Sequence, residues 1–357
     1  MRDGLVDQSA KFKKRVASAD TSPYKVVKRK QLVVGFPIDE GVLAFQDLYD
    51  EAIVSPAYDL WDIQDHSVIS CDYLQRFLRS PAALSFYSAK LRGTTARRRT
   101  LPDDVFLTLP VPLPPLAEQR RIAEVLDKAE ALRAKRRAAL AQLDSLTQSL
   151  FLDLFGDPAT NPKGFEIGRI RDLLESASYG TSEKSGPHGK YAVLRMNNIT
   201  RSGEMDFTDL KFMDLEECLH ERYLVRAGDI LFNRTNSAEL VGKTGIIRGT
   251  KPMAYAGYLI RLRVNADNDA EFLWGFLNSK YSKLMLRGMC KSIIGMANIN
   301  ATEIQAMKVP LPPLDLQREF ARRVAAVEKL KTAQRAALAE LDALFASLQH
   351  RAFRGEL

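Results

Sequence analysis

The chain has 357 residues, 46% of them hydrophobic and 27% charged, and carries a net charge of +8. That is the composition of a globular protein with room for two or three domains, and it is compatible with a polyanion as partner. No apolar run approaches the roughly 18 residues a membrane helix needs, and residues 1–20 are too polar and basic for a secretory signal. Cys71, Cys218 and Cys290 are odd in number and far apart, which fits a reducing compartment. The expectation is a cytoplasmic protein.

Residues 1–110 mix short strand-like runs with turns. Tyr24 to Val27, Gln31 to Val34 and Ala52 to Val54 read as strands, the last stopping before Pro56. Tyr73 to Leu78 has helical spacing and ends near Pro81. A basic cluster, Arg92 to Thr100, leads into Val111-Pro112-Leu113-Pro114-Pro115-Leu116. Proline removes amide donors and pushes the preceding residue toward extended geometry, so a helix starts only at about Leu116. From there no Gly or Pro occurs up to Phe155, and Ile122, Leu126, Ala129, Leu132, Leu140, Leu143, Leu150 and Leu154 recur as one helical stripe. Gly156 and Pro158 stop it. A helix of about 40 residues is a rod on the order of 60 Å long.

Residues 157–308 again read as mixed α and β. Tyr191 to Arg195, Asp229 to Phe232, Gly245 to Ile247 and Tyr258 to Arg263 have strand character, and Phe272 to Leu286 reads as one helix. Then Val309-Pro310-Leu311-Pro312-Pro313-Leu314 repeats the earlier bracket 198 residues on. The two segments align without a gap through Phe155 and Phe353, with 22 identities in 45 positions. The second stripe is Phe320, Val324, Val327, Leu330, Leu338, Leu341, Leu344 and Leu348.

The chain is therefore a tandem duplication, and the repeat reaches into the domains. Tyr24 to Val27 lies against Tyr223 to Arg226, and Tyr73, Phe77, Leu78 and Ser80 lie against Phe272, Phe276, Leu277 and Ser279. Residues 157 to about 199 have no counterpart at the N-terminus, so the first unit reads as shortened, either by an upstream start or by clipping. Two matched helices with related seams are expected to pack on each other.

The sequence offers no catalytic constellation. Val241-Gly242-Lys243-Thr244 resembles the end of a phosphate loop, but position 237 is serine where that loop needs glycine. His66, His188, His220 and His350 stand singly, away from zinc spacing, and Glu216-Glu217 lies in a hydrophilic stretch. What the second domain does hold is polar turns suited to nucleic acid. Thr181, Ser182 and Lys184 share a hydroxyl-rich loop; Arg195, Asn197 and Asn198 follow one strand, and Asn233, Arg234, Thr235 and Asn236 end another. Arg matches guanine edges and Asn adenine edges in bidentate fashion, while Lys184, Lys243 and Lys291 could neutralise phosphates. Asn298 adds a further amide, and Tyr179, Tyr255 and Tyr258 could stack nearby.

The proline bracket with Gln119 and Gln317, the ending Phe151 to Pro158, and the segments Leu194 to Ile199, Gly228 to Thr235 and Val241 to Lys243 resemble the specificity subunit of type I restriction-modification enzymes. In the first unit Phe12 to Arg15 and Ile53 to Tyr58 look like the family's counterparts. The resemblance implies an α+β fold of two target-recognition domains (1–110, N-terminally shortened, and 157–308). They are joined by the family's two long conserved spacer helices (111–156 and 309–357), packed as an antiparallel coiled coil. It implies a non-catalytic reader of a bipartite site in double-stranded DNA, with methyltransferase subunits and a restriction motor-nuclease as partners. Membrane, metal and cofactor play no part, since ATP and methyl donor belong to the partners. Ser55, Tyr58, Arg97, Arg98 and Arg99 are the DNA-facing candidates of the first unit. Two other readings stay open, a coiled-coil scaffold that does not touch DNA and a truncated, non-functional specificity subunit.

Overall fold

Two compact units divide the chain: Met1–Arg137 with Ala336–Leu357, and Ala138–Arg335. The computed structural model describes residues 4–11, 20–91, 101–237, 240–289, 291–293 and 296–357. The long helices run Leu116–Phe155 and Leu314–Ala352, so each unit contains the head of one helix and the tail of the other. The architecture is a mixture of helices and short strands, the α+β class expected.

In the first unit Leu32–Val34 sits between Leu43–Phe45 and Asp59–Trp61 in a three-stranded antiparallel sheet. Lys25–Lys28 pairs separately with Glu51–Val54. Helices Cys71–Leu78 and Pro81–Lys90 cover a core of Leu32, Leu43, Phe45, Phe77 and Tyr87. The second long helix ends on this core, where Phe353 meets the rings of Tyr73 and Phe77 edge-on at 5.7 and 5.2 Å. Strands Leu43–Phe45 and Asp59–Trp61 escaped the sequence reading because at three residues they show no alternation.

The second unit holds two four-stranded sheets. One has the order 224–225, 253–255, 191–194, 211–213, and the other 244–246, 230–233, 259–264, 174–179. Helix Ala270–Asn278 packs so closely on the long helices that a side chain on Gly275 would lie 2.9 Å from both Phe151 and Phe320. Phe151, Phe155, Phe272 and Phe320 form one aromatic cluster, with Phe155 to Phe272 at 4.9 Å.

Phe272 to Leu286 is not the single helix expected. It breaks at Ser279, whose extended backbone separates Ala270–Asn278 from Lys280–Met289 and whose Oγ accepts from the Ser282 N–H. Ser80 does the same in the first unit, accepting from Ala83. There Pro81 announces the break; Lys280 at the equivalent place does not. The second proline bracket is also more than a linker, since Lys308–Leu311 forms a strand with Glu166–Arg169. That strand partner lies in the stretch 157–199, which has no repeat equivalent in the chain. Pro310 is tolerated because the ladder has only two strands.

Gln119 and Gln317 are buried and perform one task twice. Gln119 accepts from the Ser70 N–H (2.9 Å) and donates to the Val68 and Pro114 carbonyls (2.8 and 2.9 Å). Gln317 accepts from the Asp269 N–H (2.8 Å) and donates to Asn268 Oδ1 and the Pro312 carbonyl (3.0 and 2.9 Å). Each amide ties the start of a long helix to the loop that opens its unit's own α-helix. Replacing either by alanine strands buried polar partners, so Gln317→Ala is expected to lower unfolding free energy by about 1–3 kcal/mol in denaturant titration. Gly275→Ala should cost a similar amount, about 1–3 kcal/mol, by overpacking against Phe151 and Phe320.

Candidate nucleic-acid interface

Strands 174–179, 230–233 and 259–264 bring several of the expected residues to one edge. Tyr179 ends its strand, and its hydroxyl accepts from the Ala301 N–H at 2.9 Å. Gly180 then passes so close to the next sheet that a Cβ would lie 2.3 Å from the Tyr255 carbonyl oxygen, so only glycine fits. Arg234 follows strand 230–233, which strand 259–264 separates from that of Tyr179, and places its guanidinium over the Tyr179 ring, 4.8 Å from the centroid. Its backbone is held on both sides, donating to the Tyr258 carbonyl (3.1 Å) and accepting from the Ile299 N–H (2.9 Å). Beside it Thr235–Asn236 pairs with Met296–Asn298, and Thr235 Oγ1 donates to Asn298 Oδ1 at 3.4 Å. Tyr179, Tyr258 and Asn298 are exposed, as are Ser182 and Lys184 on the adjoining loop.

Other candidates are buried or have partners within the chain. Asn198 is buried: its Oδ1 accepts from the Arg195 N–H, and its amide donates to the Asp206 and Asp209 carbonyls. Arg195 and Asn197 both donate to the Asp209 carboxylate at 2.9 Å, which neutralises the arginine. Asn236 spends its side chain on Met196 Sδ and the Ser237 N–H. Thr181 is buried, its N–H on the Tyr255 carbonyl. Thr235 is buried as well, and Asn233 is fully buried with neither amide atom bonded among the described residues.

Lys243, expected on a phosphate, donates to the Met196 and Ile199 carbonyls at 2.7 and 2.5 Å. Burial, with Arg201 nearby, holds its ammonium below the usual lysine range. Lys283 donates to the Gly242 carbonyl at 2.6 Å and is pushed down to about 8 by burial and by Lys243. Sequence reasoning passed over Lys283 because it stands on a helix face like any surface lysine. Lys291 lies in strand Lys291–Ile293, opposite Asn298.

In the first unit Ser55 makes a local turn, its Oγ accepting from the Ala57 N–H, and Tyr58 gives its carbonyl to Lys25. Arg97, Arg98 and Arg99 lie outside the described residues. Among the described residues no His, Cys, Asp and Glu gather as a metal site, and no helix is long and apolar enough to cross a membrane.

Each unit also has a cleft in the same place. In the second unit it measures about 690 Å³ and is lined by Gln148, Phe151, Leu152, Ser279, Lys280 and Tyr281, among others. In the first unit it measures about 540 Å³, and its lining includes the repeat equivalents Ala346, Gln349, His350, Ser80, Pro81 and Ala82.

Residues 162–341 match the family model of the type I restriction modification DNA specificity domain. The chain belongs to that family. It is 28% identical over 318 residues to the specificity subunit of the type I restriction enzyme EcoKI from Escherichia coli (strain K12), covering 83% of this chain and 67% of that protein. It is 26% identical over 321 residues to the StySPI specificity subunit from Salmonella potsdam, with the same coverage. The fold is also that of a solved structure on complex assembly and conformational transition of the type I R-M system (21% identity, TM-score 0.57, 95% of this chain and 85% of that one). The S subunit from M. genitalium shares it at 14% identity, TM-score 0.55, and 92% and 83% coverage.

The Lys283 ammonium carries a sign for stability. An unfolded lysine titrates near 10.4, so between about pH 8 and that value the folded chain binds fewer protons, and this group makes stability rise with pH. The wild type should therefore gain stability from pH 8 to 9.5 relative to Lys283→Met, measured as the difference between their unfolding free energies.

Proposed function

We propose that the chain is the non-catalytic DNA-reading subunit of a type I restriction-modification complex. Residues 1–110 and 157–308 each take one half of a split target, and the helices of 111–156 and 309–357 set the distance between them. The observation that carries the reading is the duplication of a recognition-type domain and a long helix within a member of the specificity family.

The helices pack as an antiparallel pair in this reading, and their ion pairs support it. In the first unit Arg133 meets Asp342 at 2.6 Å and also pairs with Glu130. In the second unit Lys331 meets Asp144 at 2.7 Å and also pairs with Glu328. Adding 198 to 133 and to 130 gives 331 and 328, and subtracting 198 from 342 gives 144. The same contact is thus made twice with the partners exchanged, as an isologous antiparallel pair requires. A helix of about 40 residues is on the order of 60 Å long, and a spacer of set length is what a bipartite site calls for. DNA contact falls to the exposed edge around Arg234, Tyr179, Asn298, Ser182 and Lys184, with Lys291 on the adjoining strand. Arg195 and Asn197 can join only by leaving Asp209.

Methyltransferase subunits and the motor-nuclease are the partners, and they bring ATP and methyl donor with them. Two leucine pairs at repeat-equivalent positions support docking on the helices. Leu132 and Leu330 are 51% and 53% exposed, and Leu146 and Leu344 are 40% and 51% exposed. These belong to the stripe or border it, yet among the described residues they are left about half exposed.

The function is tested by DNA affinity of the full chain with its methyltransferase partner as salt is raised. Six to ten phosphate contacts should cost about 10³ to 10⁵ in affinity between 50 and 200 mM. Absence of binding at low salt with the partner present would instead favour a scaffold. Leu132→Glu with Leu330→Glu should weaken methyltransferase binding at least about tenfold and leave the melting temperature of the free chain within about 2 °C, as expected of exposed positions.

A further inference from the structure

Among the described residues the Arg234 guanidinium meets no hydrogen-bond acceptor. Among the described residues it makes no ion pair, and its Nε is buried without an acceptor. Arg195 by contrast is tied to Asp209, Arg226 to Glu175, and Arg248 to Glu271. The Tyr179 ring under Arg234 is fixed at three points. Its hydroxyl is bonded to the Ala301 N–H, its residue pairs with Ile260 in the sheet, and Gly180 beside it fits only as glycine. A ring so held limits where the half-buried guanidinium can lie, and among the described residues no acceptor meets its N–H groups.

We propose that Arg234 reads a guanine and that Tyr179 is the positioning residue that aims it. Guanine offers O6 and N7 in the major groove as a pair of acceptors that a guanidinium fork matches. Stacking on Tyr179 removes the rotamer freedom that would otherwise be lost on binding, so the pair is preorganised. The inference rests on the DNA-reading function proposed above and names the residues that carry one letter of the target. A phosphate could also accept from Arg234, but it would carry no sequence information.

The test is selection of target duplexes from a random library by the assembled complex of the full chain with its methyltransferase subunits. The wild type should select a motif with guanine at a position where 7-deazaguanine, which lacks the N7 acceptor, weakens binding. Arg234→Ala and Tyr179→Ala should each lose discrimination at that position by about tenfold or more and keep the rest of the motif. Tyr179→Phe keeps the ring and should keep the preference, which separates aiming from mere folding. Melting temperatures of the variants establish that they are folded. A Tyr179→Ala motif identical to the wild type overturns the positioning role. Uniform weakening by Arg234→Ala across all sequences overturns guanine reading in favour of a phosphate contact. Failure of the wild type to select any motif overturns the DNA-reading function itself, and this inference with it.

Discussion

Each long helix is too polar to bury itself, and that constraint organises the molecule. Only about one face of each is apolar, and the part of that face buried near the head consists of Ile122, Leu126 and Ala129 in one and Phe320, Val324 and Val327 in the other. These meet the aromatic tail of the opposite helix, Phe345 in the first unit and Phe151 and Phe155 in the second. Neither unit has a complete core without both a head and a tail. Helical stability of this kind comes from packing rather than propensity. Gln119 and Gln317 fix where each head begins, because a buried amide with three partners leaves no room for a shift in register.

The same economy governs the polar turns. Buried backbone groups must be satisfied, and in the second unit much of the Asn, Thr and Lys chemistry goes to that end. Asn198 closes the turn after strand 191–194, and Lys243 ties two carbonyls of the same segment. The buried ion pair of Arg263 with Asp229 braces the sheet from the other side. Tyr179, by contrast, is exposed, with Arg234 over its ring. Residue type alone does not separate Arg195, paired with Asp209, from Arg234, which lies over an aromatic ring and has no other side-chain partner among the described residues.

The sequence by itself determined the repeat, the span of both long helices and the positions of some of the strands, among them Lys25–Lys28, Tyr191–Leu194, Ile230–Asn233 and Leu259–Val264. Those features depend on local rules: prolines that forbid a helix, a stripe that recurs at helical spacing, and a glycine that ends it. It missed three-residue strands such as Leu43–Phe45, where there is too little chain for a period to show. It also ran one helix through Ser279, because the break depends on a side-chain cap that Ser282 completes. Only the tertiary structure showed which of the Asn, Arg and Lys candidates have partners among the described residues, and that Leu132 and Leu330 stay about half exposed. Whether a polar group is spent depends on which distant segment lies within hydrogen-bonding distance, and no local pattern encodes that.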